Sequence, residues 1–375
     1  MRFGRLRPLV LGVLILATGD ALAQDGPQGI TVPTVFPPFD RNAPQCSAPP
    51  GLQKVLAFAQ DNERQFMQGV NRGLADAAKN RGLEFRVELA ANDAKKMIEQ
   101  VQAMRVASIG AVVASPVHSP SLARSLQEMI WSGAYVGTVV PPPAVSLLNA
   151  PQYLTGKVLA EAAASYIKDR LKGKANVVLL THDSLQFLSP RFAAMRDVLQ
   201  AMPGVTIVAD ISPLTVNKEG GLAMMRTILL AHPEIDVVLG ADTVVLGALQ
   251  ALRDAGKARP DQFLGGIDGE PEAVAEIKSA GPYKASVSLA STIFGYAMGQ
   301  HAADWLEGKS VPQAMDILPS LLTRDNIAAY EADFADAAGV YANPARRDVY
   351  LKMYGNICYD TRERYVNFPW SSERK

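Results

Sequence analysis

Residues able to do covalent or metal chemistry are few in this chain and poorly placed for it. The four histidines, His118, His182, His232 and His301, are scattered. None pairs with another at i, i+4 and none neighbours a cysteine, so no zinc or zincin spacing exists. No G-x-S-x-G elbow offers a hydrolase nucleophile, and no G-x-x-x-x-G-K-[ST] loop offers a phosphate cradle. His182-Asp183 resembles an acid–base pair on paper, but adjacent strand residues point to opposite sides. Gly265-Gly266-Ile267-Asp268-Gly269 is glycine-rich, yet its glycines fit a strand end and a tight turn. The first strand–helix junction carries Gln60-Asp61-Asn62-Glu63 where a dinucleotide site needs glycines. The expectation is a protein that binds and does not catalyse, with no metal and no cofactor.

Cys46 and Cys358 are the only cysteines. An even count in an oxidising compartment predicts a disulfide between the N-terminal arm and the C-terminal tail, two separate buried thiols being the alternative. The N-terminus points to that compartment. Arg2, Arg5 and Arg7 precede an apolar run from Leu9 to Ala17, and Ala21-Leu22-Ala23 has the small residues of a cleavage site. The expectation is a signal peptide over 1–23 and a mature chain in the periplasm or its equivalent. The run is too short to cross a bilayer core of about 30 Å.

The elements that must position any site alternate regularly. Residues 24–50 are a Pro-rich arm without helical period. From Leu52, short β-branched runs alternate with helix-sized amphipathic segments. The predicted strands are 52–58, 84–89, 111–114, 135–140, 176–180, 205–209, 236–239, 263–267 and 284–289. Predicted helices cover 65–81, 94–107, 119–132, 153–171, 191–201, 222–231 and 244–255. Gly82, Gly133 and Gly256 follow three of them, where a left-handed residue ends a helix. This is the pattern of βαβ crossovers and a parallel sheet covered on both faces, an α/β fold. Such sheets bind ligands at the carboxyl ends of their strands. The 375 residues suit two lobes. Lys+Arg and Asp+Glu both total 37 without a like-charged block, so nothing favours nucleic acid or an anionic membrane. Residues 339–375 are aromatic and basic, a tail expected to lie on the body.

Several stretches, read in order, resemble the ribose/galactose-type periplasmic binding proteins. Ala231-His232-Pro233-Glu234-Ile235-Asp236 continues through Ala241-Asp242 and Gly247-Ala248-Leu249 to Ala255-Gly256-Lys257. Gly265-Gly266-Ile267-Asp268-Gly269 is similar to that family's "V.G.DG.P" strand end, and Asn149 to Gly156 to its hinge. Phe66 with Gly73 fits its first-helix pattern. The resemblance spans roughly 52–320. It implies two Rossmann-like lobes joined by three hinge crossovers, an N-lobe of 51–149 plus 290–318 and a C-lobe of 150–289 plus 319–338. They would close on a solute by hinge motion, and a membrane permease would read the closed form. A monomer is expected.

The resemblance assigns Phe66 to stacking on a sugar ring, Arg191 to hydrogen-bonding hydroxyls and Asp268 to accepting them, and it adds Asn62, Arg64 and Asp242 to the expected ligand set. Each of the first three has a structural alternative: a core Phe, a solvated Arg at a helix start, and a turn-forming Asp before Gly269. The chain also departs from the family. Ala241 stands where an Asn is usual, Val139-Val140-Pro141-Pro142-Pro143 replaces an Asp-Arg pair, and Leu289 replaces a hinge Gln. The expected cargo is therefore less hydroxylated than a free hexose, or is held in a different pose, since each unmatched buried hydroxyl costs about 1–3 kcal/mol. The expected role is the solute-binding component of an ABC importer. A sensor docking on a chemoreceptor or kinase is the alternative.

Overall fold

Strands buried on both faces need continuous apolar runs, and Ile109–Ala114 is buried at every position. The computed structural model describes residues 36–139, 143–182, 186–368 and 370–373. The expected signal peptide, residues 24–35 of the arm, Val140 to Pro142 and Asp183 lie outside the described residues.

The first sheet contains β1 (Gln53–Gln60), β2 (Glu84–Leu89), β3 (Ile109–Ala114), β4 (Tyr135–Thr138) and β5 (Ser146–Asn149). The second contains β6 (Ala175–Leu180), β7 (Val205–Ile211), β8 (Val237–Gly240), β9 (Phe263–Asp268) and β10 (Tyr283–Ser288). β11 (Ala314–Ile317) and β13 (Leu351–Tyr354) extend the first sheet, and β12 (Ser320–Leu322) the second. The orders are β13-β11-β5-β4-β3-β1-β2 and β12-β10-β9-β8-β6-β7. Pairing is parallel except β11 with β13 and β10 with β12. Helices α1 (Gln65–Arg81), α2 (Ala94–Val106) and α3 (Ser119–Trp131) belong with the first sheet. α4 (Gln152–Arg170), α5 (Ser189–Gln200), α6 (Lys218–Ala231), α7 (Asp242–Asp254) and α8 (Pro271–Lys278) belong with the second.

The chain crosses between the sheets after β5, after β10 and after β11, the three hinge passages expected. It then crosses once more. From β12 it runs through α10 (Ile327–Ala335), α11 (Ala337–Ala342) and α12 (Pro344–Tyr350) back to β13. The C-terminal tail is thus partly a strand of the first sheet, paired with β11. No alternating run marks it in the sequence.

α9 (Ser291–Leu306) carries no amphipathic signal because it is enclosed all round: thirteen of its first thirteen residues, Ser291 to Ala303, are buried. It lies against α1 at backbone distance. A Cβ on Gly73 would collide with the Thr292 carbonyl oxygen, which gives that glycine its reason. His301 is buried on α9 with no hydrogen-bond partner for either ring nitrogen among the described residues, and burial pushes its pKa down to about 3. Unfolded, an imidazole titrates near ~6.5. Between those values the unfolded chain holds a proton that the fold excludes, so stability should fall as pH drops from about 6.5 towards 3. His301→Leu should flatten acid-melting curves over that window, and curves as steep as wild type would count against it.

Cys46 and Cys358 form a disulfide, their Cα atoms 6.2 Å apart across a sequence separation of 312. It pins the arm beside the tail, where Cys46 N–H also donates to the Gly308 carbonyl. Denatured, unreduced protein should show no titratable thiol. Two thiols per chain would remove this link.

Candidate functional site

The carboxyl ends of both sheets face one cavity of about 220 Å³. That volume exceeds by far what one water needs, roughly 10–15 Å³. Its wall is mainly apolar, including Phe66, Met67, Leu148, Phe187, Leu188, Val216 and Leu289, with a few charged groups converging on it. This is the usual make-up of a small-molecule site.

Local structure explains how each charged group arrives. Arg191 is on the first turns of α5, which lies close on α4: a Cβ on Gly156 would collide with the Arg191 carbonyl. The side chain is 6% exposed. Its Nε–H donates to Gln152 Oε1 at 2.7 Å, leaving the two terminal nitrogens for the cavity. Burial pulls the guanidinium below its ordinary pKa, and Asp268 opposes that. Asp268 ends β9 with φ of +122°, a conformation that L-residues avoid. Such strain persists where the surroundings impose it and is concentrated at functional sites. Burial raises the Asp268 carboxyl, while Arg191 and Arg64 lower it. It makes no hydrogen bond among the described residues. Arg64 precedes α1, its backbone N–H and Nε–H both donating to Asn62 Oδ1 at 2.9 and 3.0 Å. Phe66, the second residue of α1, reaches the wall with its ring 5.8 Å from that of Phe294.

Of the six expected ligand residues, Phe66, Arg64, Arg191 and Asp268 therefore meet on one wall. Asn62 and Asp242 stand behind it. Asn62 is spent orienting Arg64. Asp242 is fully buried, with Oδ1 accepting from Tyr283 Oη (2.7 Å) and Oδ2 from Ser286 Oγ (2.7 Å) and the Glu270 N–H (2.8 Å). Both oxygens face inward, so here it holds the turn after Asp268 rather than touching the cavity. Burial raises its pKa to about 7, the Tyr283 bond opposing.

The three departures noted in the sequence also reach the wall: Val139, Ala241 and Leu289. His182 lines it too. Sequence reasoning missed Gln152, Glu270, Trp370, Ser371 and Glu373. Glu270 directly follows Asp268-Gly269, and its acidity was a usable signal. The tail residues gave none, because only tertiary folding brings them here. Glu373 accepts the Leu154 N–H at 2.7 Å and the Tyr153 N–H at 3.2 Å at the start of α4. Trp370 packs on Phe36 and Tyr354, with ring centroids 5.9 and 5.2 Å away.

The periplasmic binding protein domain family matches residues 55–310. A ribose import binding protein of Bacillus subtilis is 27% identical over 261 residues, 67% of this chain and 80% of that protein. Among solved structures, an ABC transporter solute-binding protein from Bacillus halodurans with bound myo-inositol superposes with a TM-score of 0.66. It is 22% identical and covers 75% of this chain and 98% of its own. A 5-methylthioribose transporter solute-binding protein from Thermotoga lettingae, in complex with 5-methylthioribose, gives 0.66 at 21% identity, covering 80% and 95%.

Proposed function

The chain belongs to the periplasmic binding protein domain family, a family of solute-binding proteins and not of enzymes, and from that premise we propose that its cargo is a sugar or polyol with fewer hydroxyls than a free hexose. The single observation behind this reading is the composition of the cavity wall. Arg191, Asp268 and Phe66 converge there, while Val139, Ala241 and Leu289 present hydrocarbon beside them. Two charged groups can bind vicinal hydroxyls, and an apolar wall favours a deoxy, methyl or alkylthio substituent. The cargo named for the Thermotoga lettingae structure, 5-methylthioribose, has that character.

Capture would draw the two sheets together, because contacts from both exist only when the cleft is closed. A permease would then take the closed form. The importer reading is favoured over a sensor because the names of the relatives describe import. Placement in the periplasm rests on the N-terminal 1–23 pattern. No helix of the described residues is long and apolar enough to cross a membrane.

A thermal-shift panel of pentoses, hexoses, deoxy sugars, 5-methylthioribose and polyols tests the reading, since binding only the native state raises the melting temperature. Deoxy or substituted sugars should stabilise most. Ribose, galactose and glucose should bind weakly or not at all by calorimetry. Micromolar binding of any of those three would defeat the idea of a reduced hydroxyl-reading set.

A further inference from the structure

Glu270 is an acid that the wall does not satisfy. It is 7% exposed, and it borders both the main cavity and a neighbouring one of about 270 Å³ beyond Phe66 and Asp268. Its backbone N–H is used by Asp242, but its carboxyl makes no hydrogen bond among the described residues. Buried carboxyls are ordinarily paired or hydrogen-bonded.

The surrounding charges explain what is missing. From β9 comes Asp268, from α7 Asp242, from the segment before α1 Arg64, from α5 Arg191, and on its own helix Glu272. Tyr283 of β10 is turned to Asp242 instead. Arg191 and Asp268 offset each other, and Asp242 is tied into its three hydrogen bonds. Arg64 is shared between Asp268 and Glu270. Glu373, the remaining acid on the wall, is satisfied by the Tyr153 and Leu154 N–H groups. Around the turn, three acids face two guanidinium groups, and Glu270 is the one without a counter-charge of its own.

We propose that Glu270 reads a protonated amine on the solute, so that the cleft selects an aminated sugar or polyol. This rests on the cleft being the solute site. A hydroxyl would add an acceptor contact that Asp268 already offers, whereas an ammonium supplies the absent positive charge. Burial, with Asp268 and Asp242 nearby, raises the empty-cleft carboxyl to about 8. Binding an ammonium therefore requires Glu270 to give up its proton, which passes to the buffer. Nothing else changes hands.

The test uses D-glucosamine, D-galactosamine and D-glucamine, each beside its parent D-glucose, D-galactose or D-glucitol, titrated calorimetrically at pH 7 in buffers of different ionisation enthalpy. At least one amine should bind about tenfold or more tighter than its parent, with release of about one proton. Glu270→Gln should abolish both the preference and the release. Amines that bind no tighter than their parents overturn the inference, and so does a preference that survives Glu270→Gln. If that variant does not fold, proton release by the wild type decides alone. A deoxy sugar that binds in a protein indifferent to amines would sink this inference while leaving the proposed function intact. Failure of every sugar, polyol and amine would sink both.

Discussion

Asp268→Ala should weaken binding of the cargo about tenfold to a hundredfold. The basis is the loss of one charge-assisted hydrogen bond, roughly 1.5–3 kcal/mol. The fold should tolerate the change. The Asp268 carboxyl makes no hydrogen bond among the described residues, and Ala inherits the same strained φ of +122°, so the strain of wild type is retained. Arg191→Ala should cost a similar amount, because its terminal nitrogens face the cavity while only Nε is held by Gln152. Phe66→Ala acts differently. Its ring also contacts Phe294, so weaker binding should come with a lower melting temperature of the ligand-free protein. The decisive measurement is the dissociation constant of each folded variant. Unchanged affinity in both Asp268→Ala and Arg191→Ala would place the binding site elsewhere.

Asp242→Ala should produce the largest loss of stability, about 3–5 kcal/mol. It would leave the Tyr283 hydroxyl, the Ser286 hydroxyl and the Glu270 N–H buried without their acceptor, at about 1–3 kcal/mol each with partial relaxation. Ser286 Oγ also accepts the Gly269 N–H, so the turn carrying Asp268 loosens with it. Affinity should therefore fall as well, although Asp242 touches no cargo. Asp242→Asn separates charge from shape. Its amide can accept from Ser286 and Glu270 and donate to Tyr283, so the loss should be smaller. The folded carboxyl titrates at about 7 and the unfolded one near ~3.9. Between those values the fold binds the extra proton, and wild-type stability falls as pH rises through the window. The gap between wild type and Asp242→Asn should narrow from pH 5 to pH 8 in denaturant titrations. A gap that widens, or an Asp242→Ala as stable as wild type, would contradict the network.

The main α/β alternation was legible because each element depends on a local period. β3 is a continuous apolar run, and α1 keeps its buried face at helical spacing. Where the period vanished, so did the reading. α9 is enclosed on all sides and shows no polar face, while β11, β12 and β13 span four, three and four residues. Short strands take their identity from partners remote in sequence. β13 is a strand because β11 is beside it.

The same division runs through the cleft. Residue types alone gave the expectation that this chain binds and does not catalyse, and the family resemblance carried by its motif order pointed to Phe66, Arg64, Arg191 and Asp268, residues that lie at turns and helix starts. Sequence could not say which way a carboxylate points. Asp242 and Asp268 both lie at β–α junctions, yet one turns inward to three donors and the other outward to the cavity. Nor could it bring Trp370 and Glu373 to the wall or leave Glu270 without a partner. Those outcomes depend on packing between segments hundreds of residues apart, where the free energy is set by which groups are left to satisfy one another once water is excluded.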